Sequence, residues 1–255
     1  MSVVIFTGPT LSAAEARSEL DADYLPPAEQ GDVYRAALSG PHVIGIIDGY
    51  FERVPSVWHK EVLWAMSHGT HVFGAASMGA LRAAELEAFG MEGVGSIFEA
   101  YRDGTLEDDD EVAVIHGSGE FGFRAASEAM VDIRHTLHRA VDAGVLGART
   151  AASVEKVAKA MFYPDRTYQL ICARGVQDGL PRAELTDFWK WLPAGRASLK
   201  RADALAMLQV IRQRVAGGIE PKRVDYWFES SSVWEQARRL AEESPPAGSE
   251  AAARL

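Results

Sequence analysis

The sequence is short of cysteine, of long hydrophobic runs and of positive charge. Its single cysteine, Cys172, excludes an internal disulfide, which fits a protein of the reducing cytosol. The start of the chain has no basic segment, and its apolar run is too short for a signal peptide or a membrane span. A net charge of −10 argues against charge-driven binding of nucleic acid or anionic membranes. We therefore expect a soluble cytoplasmic protein that binds neither nucleic acid nor membrane.

Motifs for nucleotides and for zinc are also missing. The string FTGPT at residues 6–10 is too short for a Walker-type phosphate loop, and no G-x-G-x-x-G follows a predicted strand. The seven histidines are scattered and show no zinc spacing. The acidic run EDDDE at residues 107–111 lacks calcium-loop spacing, and a solvated turn explains it better than a metal site. We predict neither a cofactor nor a bound metal.

Alternating strand and helix patterns dominate the chain up to Gly90. Apolar, β-branched runs begin at Val3 (VVIFTG), His42 (HVIGIIDGY) and Thr70 (THVFGA), and a helical pattern follows each of them. Such alternation predicts an α/β fold with a parallel Rossmann-like sheet, flanking helices and a mostly helical C-terminal region. We divide the chain into an α/β core at 1–122, a helical region packed on it at 123–240 and a mobile tail at 241–255.

The carboxyl ends of the three predicted strands carry the loops of interest. They are residues 7–9, 48–50 and 75–77, which are far apart in the sequence. In a parallel sheet, functional loops lie at the carboxyl ends of the strands. The topology therefore places these segments at one edge of the sheet.

Ser77 stands at the turn between the third strand and the helix after it. The string AASMGA keeps this turn uncluttered and is a relaxed form of the G-x-S-x-G elbow, with Ala75 at the first glycine position. In such a turn the hydroxyl projects above the sheet edge, and the backbone N–H groups of Met78 and Gly79 favour an anion or an oxyanion. Two interpretations stay open: Ser77 is a nucleophile, or it only caps the helix.

A serine nucleophile needs a general base, and the preceding helix offers three candidates. At about 100° per residue, His59 and Glu61 interrupt an otherwise apolar helix surface, whereas Lys60 lies on its polar side. A group of this kind acts as a base if it faces the site with a shifted pKa. A buried helix with locally paired polar groups explains the same pattern.

Asp48 and Arg82 complete the candidate site. Asp48 ends the second strand and is placed to orient a base or bind a cation, although Asp48-Gly49 is also an ordinary turn. Arg82 lies in the second turn after Ser77 and is placed to bind an anion there. An ion pair with Glu85, three residues further on, is the simpler expectation.

Several separated strings together resemble one family. VIGIIDGYF, VWHKEVLWAMSHG, FGAASMGALRAAEL, GMEGVGSIFEAYRDG and DDDEVAVIHG occur in this order over residues 43–117 and resemble the TfuA-like core domain. A looser likeness extends upstream to VVIFTGPTL, and Thr70-His71 departs from the more apolar pair that we expect. The helical part of the chain carries no motif of this family that we recognise.

The resemblance implies an accessory role in peptide or protein backbone thioamidation, beside a YcaO-type cyclodehydratase-like enzyme that activates an amide with ATP. TfuA-like proteins are associated with supplying the sulfur. One route is hydrolysis of the C-terminal thiocarboxylate of a small ubiquitin-like sulfur carrier protein. Because a thiocarboxylate is an acyl group, Ser77 fits the role of nucleophile, with Lys60 and His59 ahead of Glu61 as the base.

A non-catalytic adaptor that binds and activates the YcaO-type enzyme is the alternative. The Ser77 turn is then structural, and exposed aromatic side chains at Trp189, Trp191 and Trp234 mark the contact surface. A homo-oligomer is left open by the sequence.

Overall fold

A parallel five-stranded sheet confirms the predicted α/β class. The computed structural model describes residues 1–52 and 54–243. The strands are β1 (Val3–Phe6), β2 (Asp23–Leu25), β3 (Val43–Ile46), β4 (His71–Ala75) and β5 (Glu92–Val94), in the order β2-β1-β3-β4-β5. The three predicted strands are β1, β3 and β4, which are neighbours in the middle of the sheet and are almost wholly buried. Because β1 has β2 on one side and β3 on the other, the strand order reverses between β1 and β3.

The two edge strands, β2 and β5, were not predicted. Each has only three residues, and neither contains the continuous apolar run that identifies a buried strand. In β5, Gly93 packs against Phe98, and a Cβ at this glycine would lie 2.1 Å from the phenyl ring. Gly93 therefore allows this contact and also interrupts the apolar run by which a buried strand is recognised in a sequence.

Helices account for most of the remaining structure. They are α1 (Ala13–Glu19), α2 (Asp32–Ala37), α3 (His59–Ser67), α4 (Met78–Leu86), α5 (Ser96–Arg102), α6 (Met130–Asp142), α7 (Ala148–Lys159), α8 (Tyr168–Gln177), α9 (Arg182–Gly195), α10 (Leu199–Ala216) and α11 (Ser232–Glu243). A capping box opens α1: Ser12 Oγ accepts the Glu15 N–H, and the Glu15 carboxylate accepts the Ser12 N–H. Within residues 1–52 and 54–243, no helix has both the length and the apolar character needed to cross a bilayer.

The chain forms two compact units. The sheet unit comprises residues 1–107, 118–124 and the described residues from Arg201 on, and the helical unit comprises residues 108–117 and 125–200. This division differs from the predicted boundaries of 1–122 and 123–240, because α10 belongs to the core of the sheet. Met207, Leu208 and Ile211 of α10 are buried in one cluster with Ile5 and Phe73. Residues 244–255 of the predicted tail lie outside the described part of the chain.

Each unit has its own hydrophobic core. The core of the helical unit is formed by buried side chains from α6, α7, α8 and α9, among them Ile133, Val154, Ile171 and Phe188. The candidate residues Asp48, His59, Lys60, Glu61, Ser77 and Arg82 all belong to the sheet unit. The candidate site therefore lies in the sheet unit.

Candidate functional site

The loops that follow β1, β2, β3 and β4 meet at the carboxyl edge of the sheet, as the parallel topology predicts. Asp48 is hydrogen bonded to Gly8 in the loop after β1. Gly49 forms a parallel bridge with Ala28 in the loop after β2. A Cβ placed on Gly49 would lie 2.9 Å from Cγ of Met78, so the loop after β3 also packs against the turn after β4. The candidate residues Asp48 and Ser77 therefore lie on loops that are in contact.

The Asp48 carboxylate accepts three hydrogen bonds from the loop after β1. Its Oδ2 accepts the N–H groups of Gly8 at 2.9 Å and of Thr10 at 3.0 Å, and its Oδ1 accepts the Thr10 hydroxyl at 2.6 Å. The side chain is only 1% exposed. Any role as a base or a cation ligand would have to compete with these three hydrogen bonds.

Ser77 occupies the N-cap position of α4, but its side chain does not cap the helix. None of the described backbone N–H groups of α4 donates to the Ser77 hydroxyl, although the Ser77 carbonyl accepts from Ala80 at 2.9 Å. The Ser77 N–H instead donates to the carbonyl of Ala75 at 2.8 Å, across Ala76. Helix capping by the hydroxyl, one of the two interpretations left open by the sequence, is therefore not seen among the described residues, and the nucleophile role stays a prediction.

Unusual backbone conformations concentrate at the same edge. In the described chain, the non-glycine residues with positive φ are Glu52 (60°), Ala76 (68°) and Phe123 (54°). Ala76 directly precedes Ser77, and Glu52 follows β3. Phe123 packs beside Gly8, its Cβ 3.6 Å from where a glycine Cβ would lie. Such conformations cost about 1–3 kcal/mol each and gather at functional sites.

The two predicted N–H donors after Ser77 differ in their availability. The Gly79 N–H faces the carbonyl oxygen of Ile47 at 3.4 Å, so it is already engaged. Met78 is the first residue of α4, and its N–H is one of those that have no acceptor within a helix. Of the two predicted donors, Met78 is therefore the better placed to meet an anion at this turn.

Gly79 has a steric role that the sequence did not reveal. A Cβ at this position would lie 1.7 Å from the carbonyl oxygen of Ile46 and 3.4 Å from Cα of Gly74. The first turn of α4 consequently lies directly against the backbones of β3 and β4. This close approach, which needs glycine, fixes where the Ser77 turn sits on the sheet.

His59 and Lys60, the two favoured base candidates, each have a partner in the structure. His59 Nε2 lies 2.8 Å from Glu85 Oε2 in α4, and the imidazole is 41% exposed. The Lys60 ammonium lies 5.0 Å above the centre of the Phe228 ring. A histidine hydrogen bonded to a carboxylate is the arrangement of a general base and the group that orients it.

Glu61, the third candidate, is enclosed by backbone donors. Its carboxylate accepts the N–H groups of Trp58 at 2.8 Å, Gly31 at 3.0 Å and Tyr34 at 3.2 Å. Burial raises the pKa of Glu61 to about 7, against the effect of these hydrogen bonds, and the nearby Asp32 carboxylate adds to the increase. Glu61 therefore links the starts of α2 and α3, which is a structural use of its charge.

Arg82 forms the ion pair with Glu85 that its spacing predicts, and it also holds a loop. Its Nη1 lies 2.6 Å from Glu85 Oε2, its Nε donates to the carbonyl of Val57 at 2.8 Å, and its Nη2 donates to Ser56 Oγ at 3.1 Å. The residue is 8% exposed. These partners engage three of the five guanidinium N–H groups and tie the segment before α3 to α4.

Residues 108–111 of the acidic run lie in the helical unit, and their carboxylates surround a lysine. Carboxylate oxygens of Asp108, Asp110 and Glu111 lie within 4.8 Å of one another, which is a spacing that a cation can bridge. The Lys159 ammonium is 2.8, 2.6 and 2.9 Å from them. Arg134 pairs with Glu111, which is buried. The prediction of a solvated turn is therefore wrong for Glu111, because an ion-pair network takes this carboxylate out of the solvent.

The aromatic residues proposed as a contact surface differ in exposure. Trp234 is 3% exposed and packs edge-on against Tyr34, with ring centroids 5.5 Å apart, so its predicted exposure is wrong. Trp191 is partly buried against Phe188, whereas Trp189 is 47% exposed. Sequence reasoning missed Trp227, which is 91% exposed.

Comparison with known proteins adds one match. A protein-family model described as TfuA-like protein matches residues 48–167. The match begins at Asp48, includes Ser77 and the acidic run, and ends at Thr167 before α8. No curated protein sequence matches the chain significantly.

Proposed function

Because residues 48–167 match the TfuA-like family model, we propose that the protein supplies sulfur for backbone thioamidation by hydrolysing a C-terminal thiocarboxylate. The family indicates an accessory role in thioamidation, in association with YcaO-type enzymes. The substrate in this proposal is a small ubiquitin-like sulfur carrier protein. The released hydrosulfide is then consumed by the YcaO-type enzyme, which needs sulfur to replace an amide oxygen.

The placement of Ser77 is the observation that supports the proposal. The residue follows a central strand, precedes a helix that it does not cap, and adjoins the positive-φ residue Ala76. A serine at a tight strand-to-helix turn is the arrangement that presents a nucleophilic hydroxyl at a sheet edge. The first N–H of α4, on Met78, lies on the same turn as a donor for an oxyanion.

The chemistry balances without a further reactant. Ser77 Oγ attacks the thiocarboxylate carbon, and its proton passes to a base. The protonated base returns this proton to the sulfur of the tetrahedral intermediate, which expels hydrosulfide and leaves an acyl-serine. Water then attacks the acyl carbon, which restores the Ser77 hydroxyl and releases the carrier as a carboxylate with one proton. Hydrosulfide leaves far more readily than an amine, so the base that took the Ser77 proton is sufficient as the general acid.

We propose His59 as the base, because it is the candidate that is paired with a carboxylate able to orient it. Its Nε2 is hydrogen bonded to the Glu85 carboxylate, which fixes the ring and stabilises a positive charge on it. Its Nδ1 is then the nitrogen that accepts a proton. Lys60 is held over an aromatic ring, and the carboxylate of Glu61 is surrounded by backbone N–H groups. We rank His59 ahead of both.

The test is sulfide release from a carrier that bears a C-terminal thiocarboxylate. We expect the native protein to release sulfide and Ser77→Ala to lose at least about 100-fold in rate, because the acyl-serine can no longer form. Ser67→Ala, at the end of α3, is the matched control and should retain full activity. Equal rates for the native protein and Ser77→Ala would overturn the proposal.

The adaptor function is the second candidate, and the exposure of Trp227 and Trp189 favours it. Exposed tryptophans are typical anchors of protein interfaces. An adaptor would stimulate thioamidation by the YcaO-type enzyme with added sulfide, and Ser77→Ala would stimulate it equally. The hydrolase would be dispensable once sulfide is supplied.

A further inference from the structure

Asp48 has a geometry that suits a role other than acid–base chemistry. We infer that Asp48 is a positioning residue: its carboxylate holds the loop after β1 at the carboxyl edge, in register with the Ser77 turn. This inference rests on the proposed function, since it assigns Asp48 a part in thiocarboxylate hydrolysis. It is an alternative to the two roles that the sequence suggested for this residue, orientation of a base and binding of a cation.

The direction of the hydrogen bonds at the Asp48 carboxylate supports a positioning role. All three partners donate to the carboxylate: the N–H of Gly8, the N–H of Thr10 and the hydroxyl of Thr10. A base needs an acceptor site that faces the substrate, and a cation ligand needs a lone pair that faces the ion. Asp48, at 1% exposure, points both oxygens at the loop instead.

The location of Asp48, next to the point where the strand order reverses, also supports a positioning role. In open α/β sheets, the loops on either side of this point separate and leave a crevice in which ligands bind. Here the carboxylate of Asp48, after β3, spans the gap to Gly8 and Thr10, after β1. The side chain therefore sets the distance between the two loops that border the crevice.

Asp48 and Gly49 also position the neighbouring loops. The Asp48 carbonyl accepts the Ala28 N–H at 3.0 Å, and the Ala28 carbonyl accepts the Tyr50 N–H at 2.9 Å. Gly49 lies against Met78, the residue after Ser77. A shift of Asp48 would consequently move Gly49, against which the Ser77 turn packs.

Two substitutions separate positioning from chemistry. In Asp48→Asn, the amide oxygen accepts both N–H groups and the amide nitrogen donates to the Thr10 oxygen, so all three hydrogen bonds persist with one reversed. The variant nevertheless lacks a carboxylate that acts as a base or binds a cation. Asp48→Ala loses all three bonds.

The experiment measures two properties of the native protein and these variants. The first is kcat and KM for release of sulfide from the thiocarboxylated carrier. The second is amide hydrogen exchange, by mass spectrometry, in the segment that contains Gly8 and Thr10. We expect Asp48→Ala to exchange faster there and to lose on the order of 100-fold in kcat, the cost of a misplaced site. We expect Asp48→Asn to stay within about fivefold of the native protein.

The results distinguish failure of this inference from failure of the proposed function. Loss of activity in Asp48→Asn equal to that in Asp48→Ala, with native exchange in the loop, would overturn the positioning role. If the native protein releases no sulfide, the proposed function fails, and unchanged exchange in Asp48→Ala would overturn the positioning role independently. Thr10→Val, which deletes only the hydroxyl donor, replaces Asp48→Ala if the alanine variant does not fold, with the same direction of change expected.

Discussion

Replacement of Glu61 by glutamine should change how the stability of the sheet unit depends on pH. Burial raises the pKa of this carboxyl from its ordinary value of 4.5 to about 7. The folded state therefore binds a proton more tightly than the unfolded state between these two values. The contribution of Glu61 to the free energy of unfolding is therefore largest at and below pH 4.5. It decreases as pH rises to about 7 and is constant above that value. The difference between the two pKa values corresponds to roughly 3 kcal/mol.

The measurement is the free energy of unfolding in urea at several pH values from 5 to 8. The fluorescence of Trp58, Trp64 and Trp234 reports on this region, because the three side chains belong to one cluster with Tyr34, which donates its N–H to Glu61. At acid pH the free energy of unfolding of Glu61→Gln should be lower than that of the native protein, because the NH₂ group of glutamine faces backbone N–H donors.

The diagnostic quantity is the difference between native and variant free energies as a function of pH. That difference should shrink or change sign by roughly 2–3 kcal/mol as pH rises to 8. Glu229→Gln, at an exposed site, is the control and should show no such trend. A constant difference between native and Glu61→Gln would refute the reasoning, because it would mean that Glu61 stays ionised throughout.

Three further predictions concern other parts of the chain. Gly79→Ala should cost about 3 kcal/mol or more, because its Cβ meets backbone atoms of β3, whereas Gly217→Ala should change the unfolding free energy by less than about 0.5 kcal/mol. Lys159→Met should destabilise the helical unit by about 1–3 kcal/mol by leaving the buried Glu111 with less compensating charge, and thermal unfolding checks this. Trp227→Ala should leave both stability and sulfide release unchanged, since the side chain is almost fully exposed; weaker binding of the YcaO-type enzyme by this variant would identify the adaptor surface.

Local patterns predict much of this fold. The buried strands β1, β3 and β4 are legible because each is a continuous apolar run, and the capping box at Ser12 fixes the start of α1. Parallel topology then predicts that Asp48 and Ser77 share one edge of the sheet. These inferences hold because each depends on residues that are adjacent in the sequence or on a rule of chain connection.

Long-range partners account for what the sequence does not reveal. The donors to Glu61 at Gly31 and Tyr34 are 30 and 27 residues away, and those to Asp48 are 40 and 38 residues away. No local spacing announces such pairs. The burial of Trp234 likewise depends on where α11 packs, and a lone tryptophan in the sequence has the same appearance whether it is buried or exposed.

The central claim, a serine nucleophile at Ser77, is tested most directly by a single-turnover reaction with the thiocarboxylated carrier. Acid quenching followed by intact-mass and peptide analysis detects an acyl-enzyme. The account predicts an adduct with the mass of both proteins less one H₂S, located on Ser77 and absent from Ser77→Ala. Release of sulfide by Ser77→Ala at the native rate, or an adduct on another residue, would contradict it.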